Sequence, residues 1–313
     1  MGKIAFIFPG QGSQTVGMGK EAAETNEKAK SVFDRADQRL GYSLSSIIFE
    51  GPQEDLTSTA NAQPALLTAS MALMQDLTDA GISPDYTAGH SLGEYTALVA
   101  AGAIDFADAV YAVHKRGQFM EEAVPNGRGT MAAVLGLERG TLHGICEQVT
   151  SGGDLVQMAN LNCPGQIVIS GTVEGVKKAG EQAKEQGAKR VLPLQVSGPF
   201  HSSLMKPAAE RFTQVLHEIE IKDADVPVIV NVSAEPETKK EAFQEKLIEQ
   251  LYSPVLWEDS VQKLISLGVD TFVEIGPGKV LSGLVRKVDR KVTAISVQDP
   301  ESCQKAIGML RGE

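Results

Sequence analysis

Several features that mark common protein classes are scarce or missing in this chain. Among its 313 residues there are three cysteines, Cys146, Cys163 and Cys303. They are odd in number, far apart and form no Cys-x-x-Cys pair, which argues against a disulfide framework and a zinc site and leads us to expect a reducing, cytoplasmic setting. No apolar run is long enough to span a bilayer. The stretch Met1–Phe6 reads directly into a strand without a signal-peptide layout, and position 6 is Phe where myristoylation asks for Ser or Thr, so no membrane association is expected. Basic residues are in deficit, with 29 Lys and Arg against 40 Asp and Glu and a net charge of −11. That sign argues against nucleic acid as the main ligand. Internal repeats and low-complexity segments are absent. Two nucleotide signatures are incomplete: Gly10-x-Gly12 meets Thr15 at the third glycine position, and Gly19-Lys20 lacks both the upstream Gly and the following Ser or Thr of a phosphate loop.

What is present is enough apolar residue, 42% of the chain, to bury a large core divided into more than one lobe. The chain is organised around Thr87-Ala-Gly-His-Ser-Leu-Gly-Glu-Tyr95. Pro84 and Asp85 punctuate before it, and Leu92, Tyr95, Leu98 and Val99 follow at helical spacing, so a short strand turns at Ser91 into a helix. Gly89-x-Ser91-x-Gly93 alone is a weak signal. Between a strand and a helix it reads as a nucleophile elbow, with glycines allowing close passage and the Leu92 N–H aimed where an attacked carbonyl would gain charge.

In chain order, Lys3–Phe8 reads as a buried strand ending in the turn Pro9–Gln14, which can offer the Gln11 N–H toward the serine. Helices are expected over 21–40, over 63–77 with Pro64 in the first turn, and from a cap at Asp105 through Met120. On that last helix Arg116 falls at the edge of the buried arc, where a cation is costly unless it meets an anion. From Thr130 the pattern becomes strand 131–135, helix 139–149, strands 155–160 and 166–170, helix 173–186 and strand 190–196. This β-α-β-β-α-β order is ferredoxin-like, and we expect 128–197 to be a small lobe inserted into a large catalytic lobe made of 1–127 and 198–313. The large lobe gains strands at 226–232, 271–275 and 293–297 between helices at 241–251, 259–267 and 280–288, so an α/β, hydrolase-like, largely parallel sheet is expected.

A serine nucleophile needs a base. His90 lies in the elbow itself, and His114, His143 and His217 lie within helices without a visible partner. His201 sits beside Gly198-Pro199-Phe200 ahead of the apolar face Leu204, Met205, Ala208, Phe212, Val215 and Leu216. It is expected at a helix N-terminus, whose dipole would keep its ring neutral. No Asp or Glu stands out as a third triad member, so a dyad oriented by another acceptor stays open.

Together with Phe8–Gln14, Gln63-Pro-Ala-Leu66, Gly89–Tyr95, Arg116-Gly117, Asn162-Cys-Pro-Gly-Gln166, Gly198–Ser202, Gln250-Leu-Tyr-x-Pro-Val-x-Trp257 and Glu274-Ile-Gly-Pro-Gly278, the whole chain resembles the malonyl-CoA:acyl carrier protein transacylases of bacterial fatty acid synthesis. The resemblance implies that Ser91 carries the acyl group, that His201 is its partner and that the Gln250 backbone carbonyl orients the imidazole. Gln11 and Leu92 would form the oxyanion hole, and Arg116 would bind the malonyl carboxylate. His90, Asn162 and Phe200 would shape the pocket, with Phe200 suited to malonyl over methylmalonyl. Donor and product are both thioesters, so neither a metal nor another cofactor is expected. Malonyl-CoA, free CoA and holo acyl carrier protein are the expected partners. An acidic carrier would need a local basic cluster, for which Arg286-Lys287 with Arg290-Lys291, and Lys189-Arg190, are candidates. Competing readings are a free-standing acyltransferase serving a polyketide pathway, a serine esterase or thioesterase, and a catalytically silent acyl-CoA binder. The last is disfavoured because nucleophile, base and oxyanion donors all have candidates.

Overall fold

The computed structural model describes residues 2–125 and 127–312; Met1, Asn126 and Glu313, which fall within the expected lobe ranges, lie outside the described residues. The first part of the chain runs β1 (Lys3–Phe8), α1 (Lys20–Thr25), α2 (Glu27–Leu40), α3 (Leu44–Glu50), α4 (Gln53–Thr57), α5 (Thr59–Asp79), β2 (Tyr86–Gly89), α6 (Leu92–Ala100) and α7 (Phe106–Glu122). Then come β3 (Gly129–Leu135), α8 (Arg139–Ser151), β4 (Val156–Cys163), β5 (Gln166–Thr172), α9 (Val173–Glu185) and β6 (Arg190–Pro193). The chain ends with α10 (Lys206–Glu218), β7 (Val228–Ile229), β8 (Pro236–Glu237), α11 (Lys240–Gln250), α12 (Trp257–Ser266), β9 (Val269–Ile275), α13 (Val280–Val288), β10 (Thr293–Val297) and α14 (Pro300–Arg311).

Two sheets result. The larger has the order β10-β9-β1-β2-β7-β8 and is parallel except for the β7–β8 pair. Phe8 pairs with Gly89, so the turn after β1 and the serine turn after β2 leave the sheet side by side. The smaller sheet, β4-β5-β3-β6, is antiparallel throughout and carries α8 and α9, which is the expected ferredoxin-like order. Its two faces bury against different partners because side chains alternate along a strand. Ala132 and Val134 pack with Leu142, Ile145, Val176 and Ala179, whereas Met131, Ala159 and Val168 join the main core with Phe8, Leu92 and Phe200. Backbone bonds also cross between the two parts, from Leu161 N–H to Val255 O and from Val255 N–H to Ala159 O.

Several local expectations are corrected. The helix expected over 21–40 is two helices, because the Asn26 side chain accepts from the Lys28 and Ala29 N–H groups and caps a new start. The helix expected from residue 63 begins at Thr59, which places Pro64 in its second turn. Proline cannot donate to the Ala60 carbonyl. His114 Nδ1 does so instead, at 2.9 Å, so this histidine has a partner after all. The strand expected over 226–232 shrinks to two residues, with Pro227 before it and the turn at Asn231 after it, and β6 stops at Pro193. The helix expected after His201 begins only at Lys206, behind a single 3-10 turn at Ser203–Met205. Among the described residues no helix is long and apolar enough to cross a membrane.

Candidate active site

Ser91 stands between β2 and α6 with φ 52° and ψ −107°, a strained conformation for a residue with a Cβ. The neighbouring glycines are what let the backbones approach. A Cβ on Gly89 would lie 1.9 Å from the Gly93 carbonyl carbon, and one on Gly93 would lie 2.1 Å from Phe8 O. Asn231 holds the strained turn from the end of the β7 segment. Its Oδ1 accepts the Ser91 N–H at 2.7 Å, and its Nδ2 donates to Gly89 O at 2.7 Å.

Oγ of Ser91 lies 2.8 Å from Nε2 of His201, whose Nδ1 lies 2.8 Å from the backbone oxygen of Gln250. A carbonyl only accepts, so Nδ1 carries the proton and Nε2 presents its lone pair to the serine hydroxyl. His201 is 4% exposed and takes φ 57°, in a turn closed by Ser202 Oγ donating to Pro199 O. The expected helix dipole is not what keeps its ring neutral, because α10 starts five residues on. Burial first, and then the charge of Arg116, push the imidazole down to about 3.

Arg116 is 1% exposed. It reaches the serine because Gly117 lets α7 close on α5, where a Cβ would sit 2.5 Å from Thr59 O. Its Nη1 donates to Gln63 Oε1 at 2.8 Å, and its Nη2 donates to Gln250 Oε1 at 2.8 Å and to Ser91 Oγ at 3.1 Å. All three acceptors are neutral, and among the described residues Nε has no acceptor. Burial lowers the guanidinium's pKa, while the neighbouring Tyr95 and Glu94 side chains oppose that shift, the buried Tyr95 phenol as a neutral group.

Gln11 and Leu92 border the same cleft, of about 320 Å³, together with His90, Ser91, Phe200 and His201. Among the described residues neither the Gln11 nor the Leu92 backbone N–H has an intramolecular acceptor, and Leu92 is the first residue of α6. The Gln11 side chain is tied to Thr59 Oγ1 at 3.2 Å. His90 Nε2 pairs with Asn162 Oδ1 at 2.8 Å, one layer behind the serine, and burial lowers its pKa. Phe200 is buried against the cleft, whereas Asn162 reaches it only through His90. The far wall comes from Met131, Asn160, Leu194 and Val196.

The sequence reading left four contributors without a role: Asn231, Glu94, Gln63 and the Gln250 side chain. Asn231 could have been suspected from its place just past a strand of the parallel sheet, where such folds collect ligand-binding groups. Glu94 follows directly on the elbow glycine and is the one charged residue of its helix. Among the described residues, no group of three or more His, Cys, Asp or Glu side chains is arranged to hold a metal ion.

The acyl transferase domain family matches residues 5–311. The malonyl CoA-acyl carrier protein transacylase of Bacillus subtilis (strain 168) is 63% identical over 313 residues, covering 100% of this chain and 99% of its own. That of Staphylococcus aureus is 48% identical over 301 residues, covering 96% and 97%. An acyl carrier protein S-malonyltransferase from Vibrio cholerae superposes with a TM-score of 0.95 at 44% identity, covering 97% of this chain and 99% of that one. A malonyl-transacylase solved in complex with its type II PKS acyl-carrier protein gives a TM-score of 0.95 at 42% identity, covering 98% and 99%. With its parallel sheet, serine elbow and full-length likeness, the chain belongs to the malonyl-CoA:acyl carrier protein transacylases of the acyl transferase domain family.

Proposed function

We propose that the protein moves a malonyl group from malonyl-CoA to the phosphopantetheine thiol of holo acyl carrier protein, through a malonyl ester on Ser91, in fatty acid synthesis. The observation that carries this reading is Arg116, a buried guanidinium with only neutral partners, 3.1 Å from the serine oxygen. A buried cation that no carboxylate contacts directly is costly, and a carboxylate arriving with the substrate would relieve that cost.

Ser91 and His201 act as a dyad. As Oγ bonds to the thioester carbon, His201 Nε2 takes the hydroxyl proton, and the oxyanion is met by the N–H groups of Gln11 and Leu92. Collapse breaks the carbon–sulfur bond, and the proton passes from His201 to the departing CoA thiolate. The carrier's thiol then gives its proton to His201 while its sulfur attacks the ester, and Ser91 leaves with that proton. The Gln250 carbonyl holds the imidazole tautomer, which removes the need for a third carboxylate. Arg116 takes the malonyl carboxylate, while His90 and Phe200 set the pocket's shape and Asn162 acts on it through His90.

Residues 1–127 and 198–313 form the catalytic lobe in this reading, and 128–197 the small lobe across the cleft. Cytoplasmic location is supported by three free, buried cysteines. Lys287 of one basic cluster and Lys189 of the other border adjoining turns of the small lobe. Lys287 Nζ donates to Gln166 Oε1 at 3.0 Å, Gly165 O accepts from Gly136 N–H at 2.7 Å, and Lys189 lies against Gly136. We assign this patch to carrier docking.

Intact-protein mass spectrometry after mixing with malonyl-CoA tests the function. The expected result is a malonyl adduct that holo carrier protein removes and that is absent in Ser91→Ala. An adduct removed by water alone, or no adduct, would refute transfer and leave a hydrolase or a silent binder. The complex with a type II PKS carrier gives a second reading, the same chemistry serving a polyketide carrier. Faster discharge to that carrier than to one from fatty acid synthesis would favour it.

A further inference from the structure

We propose that Glu94 is a positioning residue that acts through the side chain of Gln250 to set how strongly Arg116 holds a substrate carboxylate. The proposal rests on the reading of Arg116 as the carboxylate site. Glu94 lies in the first turn of α6 and is 1% exposed. Its Oε2 accepts from Gln250 Nε2 at 2.8 Å and from the Asn231 N–H at 3.0 Å. The Gln250 amide is thereby oriented: Nε2 faces Glu94 and, at 3.0 Å, Ser91 O, while Oε1 faces Arg116 Nη2 at 2.8 Å. A flipped amide would set donor against donor at the guanidinium and acceptor against acceptor at Glu94. The same carboxyl braces Asn231, whose side chain clamps both sides of the serine turn.

Charge links the two residues as well. Among the described residues Glu94 Oε1 and Arg116 Nε are both buried without a hydrogen-bond partner, one on each side of the Gln250 amide. Burial raises Glu94 to about 7, against the pull of Arg116 from α7 and Lys246 from α11. Tyr95, beside it on α6, is held un-ionised by burial, and neutral His201 lies beyond Arg116. Ionised Glu94 shares the field of the guanidinium with an incoming carboxylate, whereas protonated Glu94 leaves that field to the substrate. Preference for malonyl over acetyl therefore falls as pH rises through the Glu94 titration.

The experiment measures the rate of Ser91 acylation by malonyl-CoA and by acetyl-CoA at about pH 6 and about pH 8, on either side of the value about 7. The malonyl-to-acetyl ratio is the readout, because ionisation of the CoA phosphates and any loss of folded protein affect both donors alike. In the wild type the ratio should fall about threefold from the lower to the higher pH. Glu94→Gln keeps an oxygen for both N–H groups but carries no charge, so its ratio should stay flat and lie about threefold above wild type at the higher pH. Glu94→Ala also frees the Gln250 amide, and its ratio should lie about tenfold below that of Glu94→Gln at both pH values. Parallel pH profiles for wild type and Glu94→Gln, or equal ratios for the Gln and Ala variants, would overturn the proposal. Arg116→Ala should collapse the ratio. If it does while the Glu94 arms fail, only the Glu94 inference falls; if it leaves the ratio intact, the carboxylate-site reading falls too.

Discussion

The two sheets meet at one cleft and contribute unlike things to it. The six-stranded sheet and its helices bring Ser91 and Arg116, backed by Gln250, the segments of the four-stranded sheet bring Met131, Asn160 and Leu194, and His201 lies in the stretch that leads from β6 back to α10. One side supplies the groups that bond and carry charge; the other supplies a wall. The cause is topological. Parallel strands all end at the same edge, so the segments after β1, β2 and β7 bring Gln11, Ser91 and Asn231 together. Arg116 from α7 and Gln250 from the end of α11 reach the same edge, whereas antiparallel strands divide their turns between two edges. Chemistry held at hydrogen-bond distances should tolerate little, and a wall should tolerate more.

Gly93→Ala should show the largest effect. The new Cβ would lie 2.1 Å from Phe8 O, a backbone atom of the central strand that cannot step aside. We expect a loss of about 4 kcal/mol or more in denaturant unfolding, together with loss of malonyl-serine formation. Met131→Ala, on the wall, removes a buried side chain in contact with the main core. It should cost about 2 kcal/mol, slow malonyl loading by less than about tenfold and admit bulkier acyl groups. If it abolished acylation as Gly93→Ala does, the division between chemistry and wall would be wrong. The smallest effect is expected at the basic cluster on α13. Charge reversal at Arg286 and Lys287 should raise the apparent KM for the carrier protein about threefold and leave loading from malonyl-CoA unchanged. Equal loss in both half-reactions would remove the docking role.

Much of this was legible because the signals are local. The serine turn follows from glycines two residues either side of the serine, and the ferredoxin-like order follows from strand and helix periodicities that alternate along the chain. The buried setting of Arg116 follows from its angular place on α7. Less legible were features settled by a distant partner. Pro64 reads as a first-turn proline because proline usually sits there, yet it is accommodated in the second turn by His114 on α7. His201 reads as a helix start because an apolar face begins just after it. Its left-handed turn and the 3-10 turn that follows delay the helix to Lys206, and burial beside Arg116 takes over the role given to the dipole.

The sequence by itself determined the elbow, the two kinds of sheet and, through its motifs, the family. Only the tertiary structure decided how the serine turn is braced. Asn231 is 140 positions from Ser91, and Gln250 is 156 from Glu94, yet each pair shares a hydrogen bond of 2.7 or 2.8 Å. Periodicity reports which face of an element is buried. It does not report which buried polar atom on one element will meet which on another, because that depends on how the elements are packed, and an unmet polar atom at such a depth would be costly.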